Sequence, residues 1–240
     1  MNANTFAVDQ TLAQIISSAT LATIEDVLAV MREVDQALTP NDGLKWFNLL
    51  YLKVTEKVQH TLLQWEDMTW LTRLDVVFAN LYFDALRNPD NPSRAWRPLL
   101  QARHRSGIAP IQFALTGMNA HINHDLPLAV VQTCAERGVT PAEATPQHRD
   151  FERVNPLLET VEAEVKGFLA TGIVGAIDQK LGRIDDVIAI WKIKKARDTA
   201  WDNAEVLWHL RNAKLPRQLF LRNLANLVEL SSRGLLLPVL

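Results

Sequence analysis

Gly117-Met118-Asn119-Ala120-His121-Ile122-Asn123-His124-Asp125-Leu126-Pro127 is the stretch on which the reading of this chain turns. Met118, Ile122, Leu126 and Ala129 recur at the spacing of one helix face. His121, His124 and Asp125 share a second face with Gly117, and Asn119 and Asn123 lie one turn apart on a flank. A helix this apolar is packed inside a protein, where imidazole, amide and carboxylate groups are costly unless hydrogen-bonded or bound to a ligand. The stretch predicts a buried helix with a polar seam.

Pro110 suits the first turn of that helix, whereas Pro127 interrupts it. An interior proline has no N–H and clashes with the carbonyl four residues back, here that of Asn123, so a kink is expected before the helix ends near Cys134. Upstream, Thr23 or Asp26 caps a helix striped by Val27, Val30, Met31 and Val34. Further helices are expected from Leu44 to Trp65, from Thr69 to Leu86, and briefly from Ser93 through Trp96 and Leu99. The turn-forming runs Thr39-Pro40-Asn41-Asp42-Gly43 and Arg87-Asn88-Pro89-Asp90-Asn91-Pro92 separate them.

Downstream, Thr145 and Pro146 open a helix to Leu169 that contains Pro156, and Gly167, Gly172, Gly175 and Gly182 form a connector. The longest helix is expected from Asp185 or Asp186 through Trp191 and Trp201 to Leu210, and a last one from Arg217 to Leu230. β-alternation is nearly absent and no solenoid-type repeat recurs. The fold class is all-α, a single compact domain of about eight to ten helices spanning residues 23–240. Residues 1–22 read as a weakly patterned arm with one short helix from Thr11 to Ser18.

A net charge of -2 gives no global bias toward nucleic acid or acidic membranes. The local basic cluster Arg211, Lys214, Arg217 and Arg222 reads as a solvated face, with Leu215, Leu219, Phe220 and Leu224 interleaved at helical spacing. Cys134 is the single cysteine, which excludes an intrachain disulfide and thiolate-built structural zinc and fits a cytoplasmic location. No signal peptide and no membrane span are expected. The apolar end, Leu235-Leu236-Leu237-Pro238-Val239-Leu240, is expected to dock on the core or on a partner subunit, which makes a homodimer through it one expectation.

His121 and Asp125 stand at the i, i+4 spacing that lets two side chains meet one cation. They are candidate metal ligands, with Asp150 or Asp75 completing the shell or acting as general base. Zn, Fe or Mn suits such imidazole and carboxylate donors. Asn119 is placed to orient a bound water and Arg197 to hold an anionic group of a small-molecule substrate, giving a metal-dependent hydrolase or oxygenase. The alternative is a non-catalytic helical binding or interaction module in which the same side chains close a hydrogen-bond network that fixes helix register. Most of the seven tryptophans, Trp46, Trp65, Trp96 and Trp191 among them, read as core.

Several blocks also carry a resemblance. Arg73-Leu74-Asp75-Val76-Val77-Phe78-Ala79-Asn80-Leu81-Tyr82, Ala95-Trp96, Gly117 to Leu126, Asp150-Phe151 with Asn155, and Arg197-Asp198 with Ala200-Trp201 are similar, in this order, to the helical family called domain of unknown function 5995. The similarity runs from about Leu44 to Leu210, with the first forty residues and the basic tail outside it. It implies an intracellular, mainly microbial helical protein, and singles out Arg73, Asp75, Asn119, His121, Asp125, Asp150, Asn155, Arg197 and Trp201. Family members often carry an apolar residue at the position of His124, which favours His121 with Asp125 as the working pair.

Overall fold

Most helices of this chain start where the sequence supplies a cap or a proline. The computed structural model describes residues 3–61, 64–160 and 192–238, and among them there is no strand. Helix α1 (Ala3–Ser18) is followed by α2 (Ile24–Ala37), opened by a reciprocal cap in which Thr23 accepts from the Asp26 N–H and Asp26 accepts from the Thr23 N–H. Asp42 caps α3 (Gly43–Gln59) through the Leu44 N–H, and Asp67 caps α4 (Met68–Arg87) through the Trp70 N–H. Next come α5 (Arg97–Ala102) and α6 (Pro110–Ala120), the latter with proline in its first turn.

A π-helical turn (His121–Asp125) leads directly into α7 (Leu126–Arg137). The Leu126 N–H donates to the His121 carbonyl, the five-residue step of a π turn, so the helix has widened before Pro127 arrives. Gly138 ends α7 in the left-handed region at φ 68°, the conformation for which glycine carries no Cβ penalty. Thr145 caps α8 (Pro146–Arg153), helix resumes over residues 155–160, and α9 (Ile193–His209) and α10 (Lys214–Leu235) follow.

Four boundaries differ from expectation, the first being the end of α3, which stops at Gln59 rather than at Trp65. The N-terminal arm is a helix over most of its length, because Leu12 and Ile16 find a core to bury in. Helix α8 stops at Arg153, where Pro156 forbids an unbroken ladder. The last helix extends beyond both expected ends, to Lys214 and Leu235. The glycine connector and the expected helix start at Asp185 or Asp186, with Trp191, lie outside the described residues.

The α6–π–α7 rod runs through the middle of the packing. α3 and α10 lie against α6, while α4 and α9 lie against α7. Gly117 sits where α3 meets α6: a Cβ there would fall 2.3 Å from the Phe47 ring, so only glycine admits that ring. Trp70, Trp96, Trp201, Tyr82, Phe47, Phe83 and Phe151 are fully buried, each contributing roughly 2–3 kcal/mol of apolar burial. Trp46 and Trp65 pack half-buried at the edge of the core.

Charge is also used inside. The buried Arg103 guanidinium binds the carboxylates of Asp42 and Asp9, tying the α5 end to the cap of α3 and to α1. At the other end of the chain, Gln112 donates to the carbonyls of Leu235 and Leu237 and Leu236 is buried, so this part of the apolar tail docks on its own core. No described helix is long and apolar enough to cross a membrane.

Candidate functional site

Asp125 is the hub of the polar seam. It lies in the π turn, 3% exposed, and accepts three N–H groups: Trp96 Nε1 at 2.8 Å, His121 Nδ1 at 3.2 Å and His124 Nδ1 at 2.7 Å. Burial pushes its carboxyl up, but the hydrogen bonds from His121 and His124 outweigh that and hold it below the usual carboxylate range. An ionised Asp125 can only accept, so His121 carries its proton on Nδ1 and its lone pair on Nε2. Burial keeps His121 neutral by pulling its pKa down against the opposing pull of Asp125.

The imidazole of His121 is held by rings. Phe78 stacks on it with centroids 3.5 Å apart and planes 5° apart, and Tyr51 meets it edge-on at 4.6 Å. Its Nε2 is buried and has no hydrogen-bond partner among the described residues.

Among the described residues, three buried side-chain atoms without a hydrogen-bond partner belong to residues lining one cavity: Tyr51 Oη, Asp75 Oδ2 and His121 Nε2. That cavity measures about 70 Å³ and is mostly apolar, walled by Val54, Leu74, Met118, Ile122 and Leu158 among others. Proteins rarely leave buried polar atoms unpaired, and three around one small space are what a ligand-binding or proton-transferring site requires. Burial raises the Asp75 carboxyl to about 7, so it keeps a proton well above the pH at which an exposed carboxylate loses it. Burial likewise pushes the Tyr51 hydroxyl well above its ordinary value, with the charge of Asp75 adding to the effect.

Arg197 lines the same cavity from α9 and is 7% exposed. Its Nε donates to Asn155 Oδ1 at 2.7 Å, its Nη2 to the Phe151 carbonyl at 2.7 Å, and its guanidinium lies 3.9 Å from the Phe151 ring centroid.

The structure separates the sequence-derived candidates. His121 and Asp125 do meet, but through a hydrogen bond to each other. The expected ligand set His121, Asp125 and Asp150 does not converge. Asp150 accepts from the backbone N–H groups of Glu66 and Asp67 and from Arg153, fastening the turn before α4. Among the described residues no group of three or more His, Cys, Asp or Glu side chains is arranged to hold a metal ion. Asn119 donates to the Val228 carbonyl and to Ser232 Oγ, which anchors α10 to α6, and so has no water-orienting position in the cavity. Arg73 pairs with Glu136 on the surface.

Tyr51, Phe78 and Trp96 were missed as site residues. Each reads as an ordinary member of an apolar stripe, and only the packing of α3, α4 and the turn before α5 on the π turn reveals its partner. The unusual signal in sequence was Asp75 itself, a carboxylate among positions that otherwise read as buried.

The model of a family of unknown function, DUF5995, matches residues 24–238. The chain belongs to DUF5995. The DUF5995 match takes in α2, the opening of α3 and α10, all of which lie beyond the limits read from the sequence blocks. Those limits were too narrow because α2 and α10 carry helical stripes without distinctive polar blocks. All the cavity residues named above fall inside the DUF5995 region. No curated protein and no solved structure matches the chain.

Proposed function

We propose that this protein binds a small, mostly apolar molecule in the His121–Asp75–Tyr51 cavity and moves a proton on it. The observation that carries this reading is that His121 and Asp75 line one cavity and that, among the described residues, neither His121 Nε2 nor Asp75 Oδ2 has a hydrogen-bond partner, the Asp75 carboxyl being raised by burial to about 7. Asp125 fixes the tautomer of His121 and steadies the imidazolium that forms, while Trp96 and His124 fix Asp125. His121 is the base and Asp75 the acid: one proton leaves the bound molecule, another is returned, and no oxidant is needed. Tyr51 supplies a hydrogen bond to the polar group of the ligand.

The test is a thermal-shift panel of small aliphatic alcohols, ketones, amides and acids, followed by NMR of the binders in D2O. At least one compound is expected to stabilise the protein and to take up deuterium next to its polar group. His121→Ala is expected to slow that uptake by roughly 10²–10⁴-fold. A panel in which nothing stabilises the protein overturns the reading.

A second reading places a divalent ion, Zn, Fe or Mn, against the same two atoms. It is favoured by their types, an imidazole nitrogen and a carboxylate oxygen, both without a protein partner. Elemental analysis of wild type beside His121→Ala decides it: metal lost with the imidazole supports the ion, and equal content in both removes it.

A further inference from the structure

Arg197 is a buried cation with no ion pair among the described residues. Among them it makes two hydrogen bonds, both to neutral acceptors, Asn155 Oδ1 and the Phe151 carbonyl. The acids nearest in chain and field, Glu152 and Asp198, pair instead with Lys194 at 3.5 and 2.9 Å. A guanidinium has five N–H donors, so these two bonds leave most of its donor capacity unused, and Glu152 and Asp198 act on its charge only without direct contact. Leaving a charge buried and unpaired costs several kcal/mol, and burial accordingly pulls this guanidinium down to about 10. Proteins keep such a group where something else brings the counter-charge.

Size and shape narrow what that is. An apolar cavity of about 150 Å³ admits benzene. The space beside Arg197 is about 70 Å³, which on the same scale admits a body of roughly three carbon atoms. One planar, singly charged fork matches one planar monoanion, whereas a phosphate dianion calls for more donors than this site offers.

We infer that the ligand of this cavity is a short-chain aliphatic carboxylate, its alkyl body among Val54, Leu74, Met118 and Ile122 and its carboxylate on Arg197. This rests on the cavity being a ligand site, as proposed above. The ligand then supplies the ion pair that Arg197 does not make among the described residues, and its chain lies within reach of His121 and Asp75.

Calorimetric titration with butanoate and with butanamide, its neutral near-isostere, tests this on the wild-type protein, on Asn155→Asp and on His121→Ala. Asn155→Asp gives Arg197 an internal carboxylate, at the loss of the hydrogen bond from Asn155 Nδ2 to Glu152, and its folding is checked by circular dichroism. The expected result is at least tenfold preference for butanoate in the wild type and loss of that preference in Asn155→Asp, with amide binding unchanged. Equal binding of acid and amide, both weakened in His121→Ala, overturns the carboxylate while leaving the cavity as a ligand site. Absence of binding by either compound at millimolar concentration overturns both.

Discussion

Asp75 shows most directly how one residue is set against the stability of the fold. Its Oδ2 is buried without a partner, and burial raises its carboxyl from 3.8 to about 7. The native state therefore holds a proton that the unfolded chain has already released, and stability falls with rising pH across that window. The contribution is complete below about pH 4 and lost as pH rises through about 7, a change of up to about 4 kcal/mol. Asp75→Asn removes this slope, so urea titrations at pH 5 and pH 8 are expected to show the variant gaining on the wild type by several kcal/mol at the higher pH. His121 works in the opposite direction: its lowered pKa makes stability fall as pH drops below about 6.5, and His121→Gln is expected to flatten the acid side. A variant that is more stable yet no longer binds ligand is the signature of a residue kept for function. The position of Asp75 was legible in the sequence because a carboxylate stood out among apolar neighbours. The role of Asp150 was misread for the complementary reason: its partners are backbone N–H groups of Glu66 and Asp67, which no residue pattern displays.

At the scale of elements, the π turn is what gathers the site. Pro127 was readable as a disturbance, and the expected consequence was a kink at the proline. The helix instead widens at His121–Asp125, so that the disturbed turn is the one carrying both histidines and the aspartate. Sequence periodicity assumes 3.6 residues per turn and cannot show where a helix departs from it. The helix pairing that closes the site depends on Gly117, across which the Phe47 ring approaches α6. Gly117→Ala puts a methyl 2.3 Å from that ring, which is itself packed edge-on against Tyr82 and Trp96. Although alanine favours helix by about 1 kcal/mol over glycine, the overpacking is expected to win, for a net loss of roughly 1–3 kcal/mol. Chemical denaturation measures that loss, and an unchanged or raised midpoint would show that α3 and α6 slide apart freely.

At the scale of the whole molecule, the outer helices hold the ring of inner ones that frames the cavity. The all-α class and most helix cores followed from apolar spacing, but α1 was undervalued because its stripe is short and gains its energy only from tertiary contact. Leu12 and Ile16 are each 1% exposed, and Asp9 reaches the buried Arg103 that also holds the cap of α3. α1 packs on α2 and α4, and these elements supply Ile24, Leu74, Asp75 and Phe78 to the cavity. Removing residues 1–20 strips two fully buried aliphatic side chains, worth roughly 3–6 kcal/mol together, and leaves Arg103 with Asp42 alone. The truncated protein is therefore expected to unfold at markedly lower urea. Asp9→Asn, which removes only the charge, is expected to lose about 1–2 kcal/mol, because its partner keeps a second carboxylate. If the charge alone accounts for the whole effect of truncation, α1 acts as a clip on Arg103; if it accounts for a minor part, α1 belongs to the core.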